Sequence, residues 1–334
     1  MIEVDGSYME GGGQILRTSI ALSALTGKPC RVFNIRKGRP KLGLKEQHLK
    51  AIDSVGQICN AKIRGNKFGS TEVEFHPGEI RGGEYKIYVG TAGSVSLVLQ
   101  ALLPAIVVSD KKFTFEITGG TNVKWSPSIE YIKHVFCNFL DRMGLDIRID
   151  VCKYGFYPKG GGRIKVRVSA PRKLNPMKIT NRGEFKRIDA WSISSDDLKR
   201  KNVAERQLEG FSEILDFNHQ HAMYVKTLSP GTFIHAHVHY EKSKIGECFL
   251  GEPNISAEDV GRKCAEKLKR EMDSGACLDK WMADQILPYM AIAEGGEFSV
   301  SEVTDHCRTN IWTIEKFLPV KFKIKDKIIS CKRI

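Results

Sequence analysis

The chain has 334 residues, with 52 lysines and arginines against 39 aspartates and glutamates, a formal net charge of +13; such an excess suits a polyphosphate or nucleic-acid partner and equally describes a solvated basic surface. At roughly 150 residues per domain the length suggests two domains, and a hydrophobic fraction of 41% can fill a sizeable core. No run of about 18 apolar residues occurs and the N-terminus lacks the apolar stretch of a secretory signal, so no membrane span is expected and the expected location is cytoplasmic.

In chain order, Gln14–Leu25 carries apolar residues at helical spacing and stops at Gly27, Cys30–Ile35 reads as a strand, and Leu44–Ile58 as a second helix. The same plan of helix, strand, polar turn and helix returns twice. Ser94–Val108, Phe113–Ile117 and Pro127–Met143 form the second copy, and Leu278–Ala293, Phe298–Val303 and Thr309–Leu318 the third. Leu145–Val151 and Arg163–Val168 read as two further strands. The three repeated strands end at Ile35, Ile117 and Val303, so the second step exceeds the first by roughly a hundred residues. That excess is expected as an insertion over about 181–276, with strands Arg187–Ile193 and Thr232–Tyr240 and helices Ala204–Phe217 and Ala257–Met272, the last capped by Ser256. The expected architecture is therefore α/β (α+β), with a repeat-built domain over 1–180 and 277–334 and a small α/β domain inserted at 181–276.

Each repeated strand runs into a polar turn near a helix N-terminus, where unpaired N–H groups and the helix dipole attract phosphate. The turns are Arg36–Arg39, Thr118–Asn122 and Thr304–Asn310, and together they would line an anion-binding cleft. Glu10-Gly-Gly-Gly-Gln-Ile-Leu-Arg17 places three glycines before a helix, so backbone can approach a ligand closely. Glu10 can hold a divalent metal, and Arg17 can reach a phosphate. The stretch lacks the Gly-Lys-Ser/Thr of a Walker A loop. Arg36, Lys37, Arg39, Lys41 and Lys45 crowd the next turn, and guanidinium groups bind phosphate oxygens in pairs; Gln47 and His48 follow on the next helix. Gly155-Phe-Tyr-Pro-Lys-Gly-Gly-Gly162 can be a hairpin turn, although three consecutive glycines exceed what a turn needs.

His306 lies between a strand and a helix among polar neighbours. A lone histidine is more often structural, but a neutral imidazole is a good nucleophile near pH 7. A contact to Thr309, Asn310 or a backbone group would fix its tautomer. His235, His237 and His239 alternate along a strand and share one face. No carboxylate or cysteine spacing supports a metal there, so a surface strand face is expected; His219 and His221 are weaker still. The nine cysteines contain no C-x-x-C pair and are expected mostly as buried thiols, although a hyperthermophilic source would allow one or two disulfides.

Taken together, these segments resemble the RNA 3′-terminal phosphate cyclase family. The resemblance rests on the Asp5-Gly start with GGGQILR, on IRKGRPKLGLKEQH, on GFYPKGGG, on WMADQ, and on the Thr-x-His-x-x-Thr-Asn end, and runs from Asp5 to Leu318. It implies repeated βαβα units similar to those of enolpyruvyl transferases, and an ATP-dependent, ligase-type nucleotidyl transfer. In that reaction His306 takes AMP from ATP, AMP passes to an RNA 3′-phosphate, and the 2′-hydroxyl closes a 2′,3′-cyclic phosphate. By the same resemblance Glu10 is the carboxylate for a divalent metal (Mg or Mn). Arg17, Arg36, Arg39, Gln47, His48 and Gln100 form the phosphate and catalytic shell, with Gln100 counted among the ATP-binding residues. Pro127, Trp281, Asp284 and Gln285 line the adenosine site. The implied partner is an RNA with a 3′-phosphate end, no membrane is involved, and a homodimer is compatible with the family. Trp281 stands where the family usually has tyrosine, which keeps stacking but loses a hydroxyl; Tyr154 stands where it usually has arginine or histidine. The alternatives are a non-catalytic, cyclase-like protein of ribosome assembly, against which His306, Arg36, Arg39 and Gln100 speak, and an enolpyruvyl transferase.

Overall fold

A computed structural model describes the whole chain, residues 1–334. The first unit contains β1 (Ile2–Asp5), α1 (Gly13–Thr26), β2 (Cys30–Phe33), α2 (Glu46–Cys59), β3 (Lys62–Arg64) and β4 (Val73–His76). Its sheet has the order β1-β2-β4-β3, with β1 and β2 parallel and the other pairs antiparallel. The second unit repeats this with β5 (Gly83–Tyr88), α3 (Val95–Ile106), β6 (Lys112–Gly119), α4 (Ile129–Tyr131), a π turn (Ile132–Phe136), α5 (Cys137–Arg142), β7 (Asp146–Lys153) and β8 (Gly162–Ser169). Its order is β5-β6-β8-β7, again with only the first pair parallel.

The third sheet opens with β9 (Met177–Ile179) and is then interrupted by β10 (Phe185–Ser195), α6 (Val203–Ser212), β11 (His219–Val225), β12 (Thr232–Tyr240), β13 (Lys244–Leu250) and α7 (Ala257–Asp273). It resumes with α8 (Lys280–Ile292), β14 (Gly295–Ser299), α9 (Asp305–Phe317), β15 (Val320–Lys325) and β16 (Ile328–Arg333). The order is β9-β14-β16-β15, with β9 and β14 parallel. Each unit therefore contains a leading strand and a closing hairpin besides the helix–strand–helix plan legible in the sequence. A parallel pair needs a crossover helix, here the first helix of each unit, whereas the closing pair is joined by a short loop.

Local chemistry explains the element ends. Gly27 ends α1 in the left-handed conformation at φ 67°, which costs glycine little. Ser94 and Ser256 accept hydrogen bonds from the N–H groups of Leu97 and Asp259 and cap α3 and α7. Thr304 accepts from Cys307 N at 3.2 Å, so α9 starts at Asp305 and not at Thr309. His306 consequently lies in the first turn of a helix rather than in a turn before one. The strand expected at Phe298–Val303 is shifted toward the N-terminus, and only an isolated bridge from Val300 to Leu278 continues it.

The apolar faces of the three units merge into one core that includes Leu16, Leu102, Phe136, Ile286 and Phe298. The sheet between β9 and α8, in the order β11-β10-β12-β13, packs against α6 and α7 over a smaller core of Phe211, Ile234, Val238 and Leu268. All nine cysteines are free. The histidine face of β12 is not a surface: His235 and His237 are fully buried. Strand alternation turns Ile234, Ala236 and Val238 to the helices, and the opposite face is covered by Tyr131 and His134, the latter stacked 5.4 Å from His237. His219 and His221 lie exposed on β11.

Candidate active site

His306 sits at the second position of α9, half exposed, and its Nδ1 meets two acceptors. Glu10 Oε2 lies at 2.6 Å and Gln14 Oε1 at 2.5 Å. Both acceptors come from the far end of the chain: Glu10 precedes the glycines, and Gln14 is the second residue of α1. A proton on Nδ1 serves either acceptor, which leaves Nε2 with its lone pair. Thr309 and Asn310 do not fix this tautomer. One helical turn beyond Asp305 both face inward; Asn310 donates to Asp284 O at 2.8 Å and accepts from Thr18 Oγ1 at 2.8 Å, while Thr309 is buried.

Glu10 is shared. Its Oε1 accepts from Arg39 Nη2 at 2.7 Å. Burial opposes its ionisation, but the hydrogen bonds from His306 and Arg39 outweigh that and hold its carboxyl below the usual range. The hydrogen bond to Glu10 raises the pKa of His306 in return, against partial burial and the charge of Arg17. Gly12 and Gly13 pass between these groups. A Cβ on Gly12 would lie 3.5 Å from Arg39 Nη2, and one on Gly13 only 2.5 Å from His48 Nε2 and 3.2 Å from Arg17 Nη1. At Gly12 a Cβ would make only ordinary contact, but at Gly13 it would clash, so Gly13 lets the backbone pass close to His48 and Arg17.

Arg17 and His48 are tuned by burial. Burial lowers the Arg17 guanidinium to about 10, opposed by Asp284 and Glu10. Burial also pushes His48 down to about 3, helped by the nearby charges of Arg17, Arg36 and Lys45; its Nδ1 accepts from Lys45 N at 3.0 Å, which assigns the proton to Nε2, toward Gly13. Arg36 stands in the turn at φ 59° and donates from Nε to Lys41 O at 3.3 Å. Arg39 Nε is buried without a hydrogen-bond partner. Arg17 and Arg39 thus face the carboxylates of Glu10 and Asp284, and Arg36 lies close to Arg39; most of the fifteen or so N–H donors of the three guanidiniums are unused, a set suited to an anion with several oxygens.

The first helices of the three units converge on this cluster. From α1, Gln14 Nε2 donates to Asp284 Oδ2 at 2.9 Å and Arg17 Nη2 to Gln100 Oε1 at 3.4 Å. From α3, Gln100 Nε2 donates to Gln285 Oε1 at 3.1 Å, and from α8, Gln285 Nε2 returns to Trp281 O at 2.7 Å. Burial lifts Asp284 to about 6, despite His306 and Arg17. Trp281, Asp284 and Gln285 share one face of α8 by their i, i+3 and i+4 spacing. Trp281 is 42% exposed, so its indole can take a stacked ring, and its Nε1 donates to Glu247 Oε2 at 3.0 Å. Pro127 lies just before Ser128, the cap of α4; Tyr131 on that helix donates to Asp279 Oδ1 at 2.7 Å and so ties it to the start of α8. Gln47 is half-buried beside His48 and makes no side-chain hydrogen bond.

Only two of the three polar turns meet. The Thr118–Asn122 turn packs against the Gly155–Gly162 loop, where Gly155 N donates to Thr121 Oγ1 at 3.1 Å. That loop is more than a hairpin: Lys159 N donates to Ser229 Oγ at 3.1 Å, and Phe156 packs with Ile193 and Phe233 of the inserted sheet. Two site residues had no role assigned from sequence. Gln14 was legible as a polar residue one turn before Arg17 on an otherwise apolar helix. Glu247 was legible as a carboxylate inside the buried strand Lys-Ile-Gly-Glu-Cys-Phe-Leu.

A sequence profile described as RNA 3′-terminal phosphate cyclase matches residues 8–324. Proteins named RNA 3′-terminal phosphate cyclase are similar along nearly their whole lengths. The one from Methanopyrus kandleri is 43% identical, covering 98% of this chain and 96% of its own. That from Thermococcus kodakarensis is 41% identical, at 98% and 95%, and that from Pyrococcus furiosus 43% identical, at 98% and 96%.

Proposed function

The chain belongs to the RNA 3′-terminal phosphate cyclase family, and from that premise we propose that it converts an RNA 3′-phosphate to a 2′,3′-cyclic phosphate at the expense of ATP, with His306 as the covalent nucleophile. One observation carries this reading: His306 Nδ1 is held by Glu10 and Gln14 while Nε2 stays free, beside Arg17 and Arg39.

In the first step the Nε2 lone pair attacks the α-phosphorus of ATP. The bond from that phosphorus to the β-phosphate oxygen breaks, and pyrophosphate leaves with the electrons. The imidazole becomes positively charged, and the Glu10 carboxylate beside Nδ1 stabilises that charge, as a buried carboxylate does beside other catalytic imidazoles. Arg17, Arg36 and Arg39 bind the phosphate oxygens as negative charge builds up. In the second step an oxygen of the RNA 3′-phosphate attacks the same phosphorus, the P–N bond breaks, and neutral His306 returns. In the third the 2′-hydroxyl gives its proton to solvent and its oxygen attacks the 3′-phosphorus, the bond from that phosphorus to the bridging oxygen of AMP breaks, AMP leaves with the electrons, and the ring closes. Trp281, Asp284 and Gln285, with Pro127, hold the adenosine; the residues of 1–180 and 277–334 carry the chemistry, and those of 181–276 form a separate domain.

The family's divalent metal fits one position. Arg39 takes one oxygen of Glu10, and the other, buried without a hydrogen-bond partner although 2.6 Å from His306 Nδ1, would help hold Mg or Mn together with the phosphates of ATP, as is common for magnesium. When bound, the ion supplies charge neutralisation on those phosphates.

Incubation with α-labelled ATP and a divalent metal tests the reading. Acid-labile label is expected on the wild-type chain and none on His306→Ala; an unlabelled wild type, or equal label on both, would refute it. Absence of label together with RNA-independent activity on phosphoenolpyruvate would favour an enolpyruvyl transferase instead.

A further inference from the structure

A second polar cluster lies on the inserted sheet, built from elements that do not supply His306 or its partners. Asp189 on β10 stands opposite His237 in the antiparallel β10–β12 pair. Asp189 Oδ2 is 2.8 Å from His239 Nε2 and 3.8 Å from His237 Nε2, and the two nitrogens are 2.8 Å apart. The carboxylate comes from a neighbouring strand, which is why no spacing within the histidine run announces it.

Protons satisfy this triangle only through one hydrogen shared between two acceptors. An imidazole nitrogen carries either a hydrogen or a lone pair. Asp189, paired with Arg187 at 3.1 Å, only accepts, so His239 Nε2 must carry the hydrogen that faces it. That same hydrogen would then have to serve His237 Nε2 as well, since a second hydrogen there would point at the first. A cation instead accepts three lone pairs at once. A point about 2 Å from all three atoms lies just off their plane, the distance at which zinc binds nitrogen and carboxylate oxygen.

We infer that Asp189, His237 and His239 form a binding site for a divalent ion of the zinc class. Two imidazoles and one carboxylate suit zinc and its borderline neighbours better than magnesium. The surroundings match the way such ligands are usually oriented. His237 Nδ1 lies 3.2 Å from His235 Nε2, and Asp189 Oδ1 lies 2.9 Å from His219 Nδ1. Arg187 competes for Asp189, donating from Nε to both oxygens at 3.1 Å, and binding would leave it the oxygen that the ion does not use. His237 is buried under His134, whereas the side chain of His239 is 15% exposed and offers the way in. The bound ion would cross-link β10 and β12 beneath the helix segment that carries His134.

Zinc retention by the full chain tests this. After chelator treatment and dialysis against Zn2+, the wild type is expected to keep about one zinc per chain. Asp189→Asn and His239→Gln should each lose it, while Glu10→Gln should keep it. A wild type that keeps none, zinc that survives both substitutions, or zinc lost from Glu10→Gln instead would overturn the assignment. X-ray absorption at the zinc edge of the wild type reads the ligands without any variant, so a misfolded variant does not stall the test. Two imidazole rings and an oxygen shell are expected, and a sulfur shell from the cysteines would overturn it.

Discussion

Glu10 and His306, from opposite ends of the chain, meet at 2.6 Å through Oε2 and Nδ1, and the same carboxylate holds Arg39 at 2.7 Å through its other oxygen. Under the proposed mechanism the contact would give Glu10 two roles: selecting the tautomer that frees Nε2, and placing negative charge where the imidazole would become cationic. It joins the first unit to the third, so the pair exists only in the folded chain.

Glu10→Gln should separate these roles. Glutamine can still accept from Nδ1 but carries no charge, so the rate of self-adenylylation should fall by roughly 10²–10⁴-fold. Gln14→Ala removes only the second acceptor and should cost about tenfold. Single-turnover labelling with α-labelled ATP reads both; an unchanged rate in Glu10→Gln would exclude the electrostatic role.

Gly13→Ala should disable the site without unfolding the protein. Gly13 is the first residue of α1, where alanine is the better helix former by up to about 1 kcal/mol. Its Cβ would lie 2.5 Å from His48 Nε2, and that ring must move. The unfolding midpoint should stay within a few degrees of wild type while adenylylation falls at least about tenfold. Wild-type activity in Gly13→Ala would mean that the position of His48 is immaterial.

The order of bond changes predicts a trapped intermediate. An RNA ending in 2′-deoxy-3′-phosphate should accept AMP and stop, because the attacking hydroxyl is missing. Chromatography of the products should show the adenylated end and no cyclic one; a cyclic product would refute the last step.

Glu130 makes a prediction about stability. It is buried, and Tyr154 and Asn122 approach its carboxyl without an aligned hydrogen bond. Burial pushes its pKa up from 4.5 to about 7. A folded-state value above the unfolded one means that the folded chain holds the proton more tightly. The stabilisation is therefore complete below about pH 4.5 and is lost as the pH rises through about 7, a change of about 3 kcal/mol. Glu130→Gln does not ionise, so it should melt higher than wild type at pH 8 and nearly with it at pH 4.5. Thermal unfolding at both pH values decides the matter, and a variant no more stable at pH 8 would refute it.

Much of the architecture was legible because it is periodic. Helical spacing and β-branched runs located α1, α3, α7 and α8, and the unequal steps between repeated strands pointed to an interruption before α8. The closing hairpin of the second unit was legible as Leu145–Val151 and Arg163–Val168, but the leading strands and the closing hairpins of the first and third units were missed, because short strands such as Met177–Ile179 carry too few residues to show a pattern. The start of α9 was misplaced because Thr304 caps it through a side-chain contact, which composition does not reveal.

The amino-acid order alone places the residue types in their local settings: a glycine where backbone passes close to side chains, arginines in the turn after β2, and a histidine near the start of α9. Those follow from steric and charge rules that act over a few residues. Which groups share a proton or a charge follows from how the three units pack. Glu10 and Gln14 hold His306, in place of Thr309 or Asn310; the second polar turn packs against the Gly155–Gly162 loop; and His237 is buried beside Asp189 rather than exposed. Hydrogen bonds and desolvation act over about 3 Å, and residues so far apart in the chain come that close only after the three units have packed.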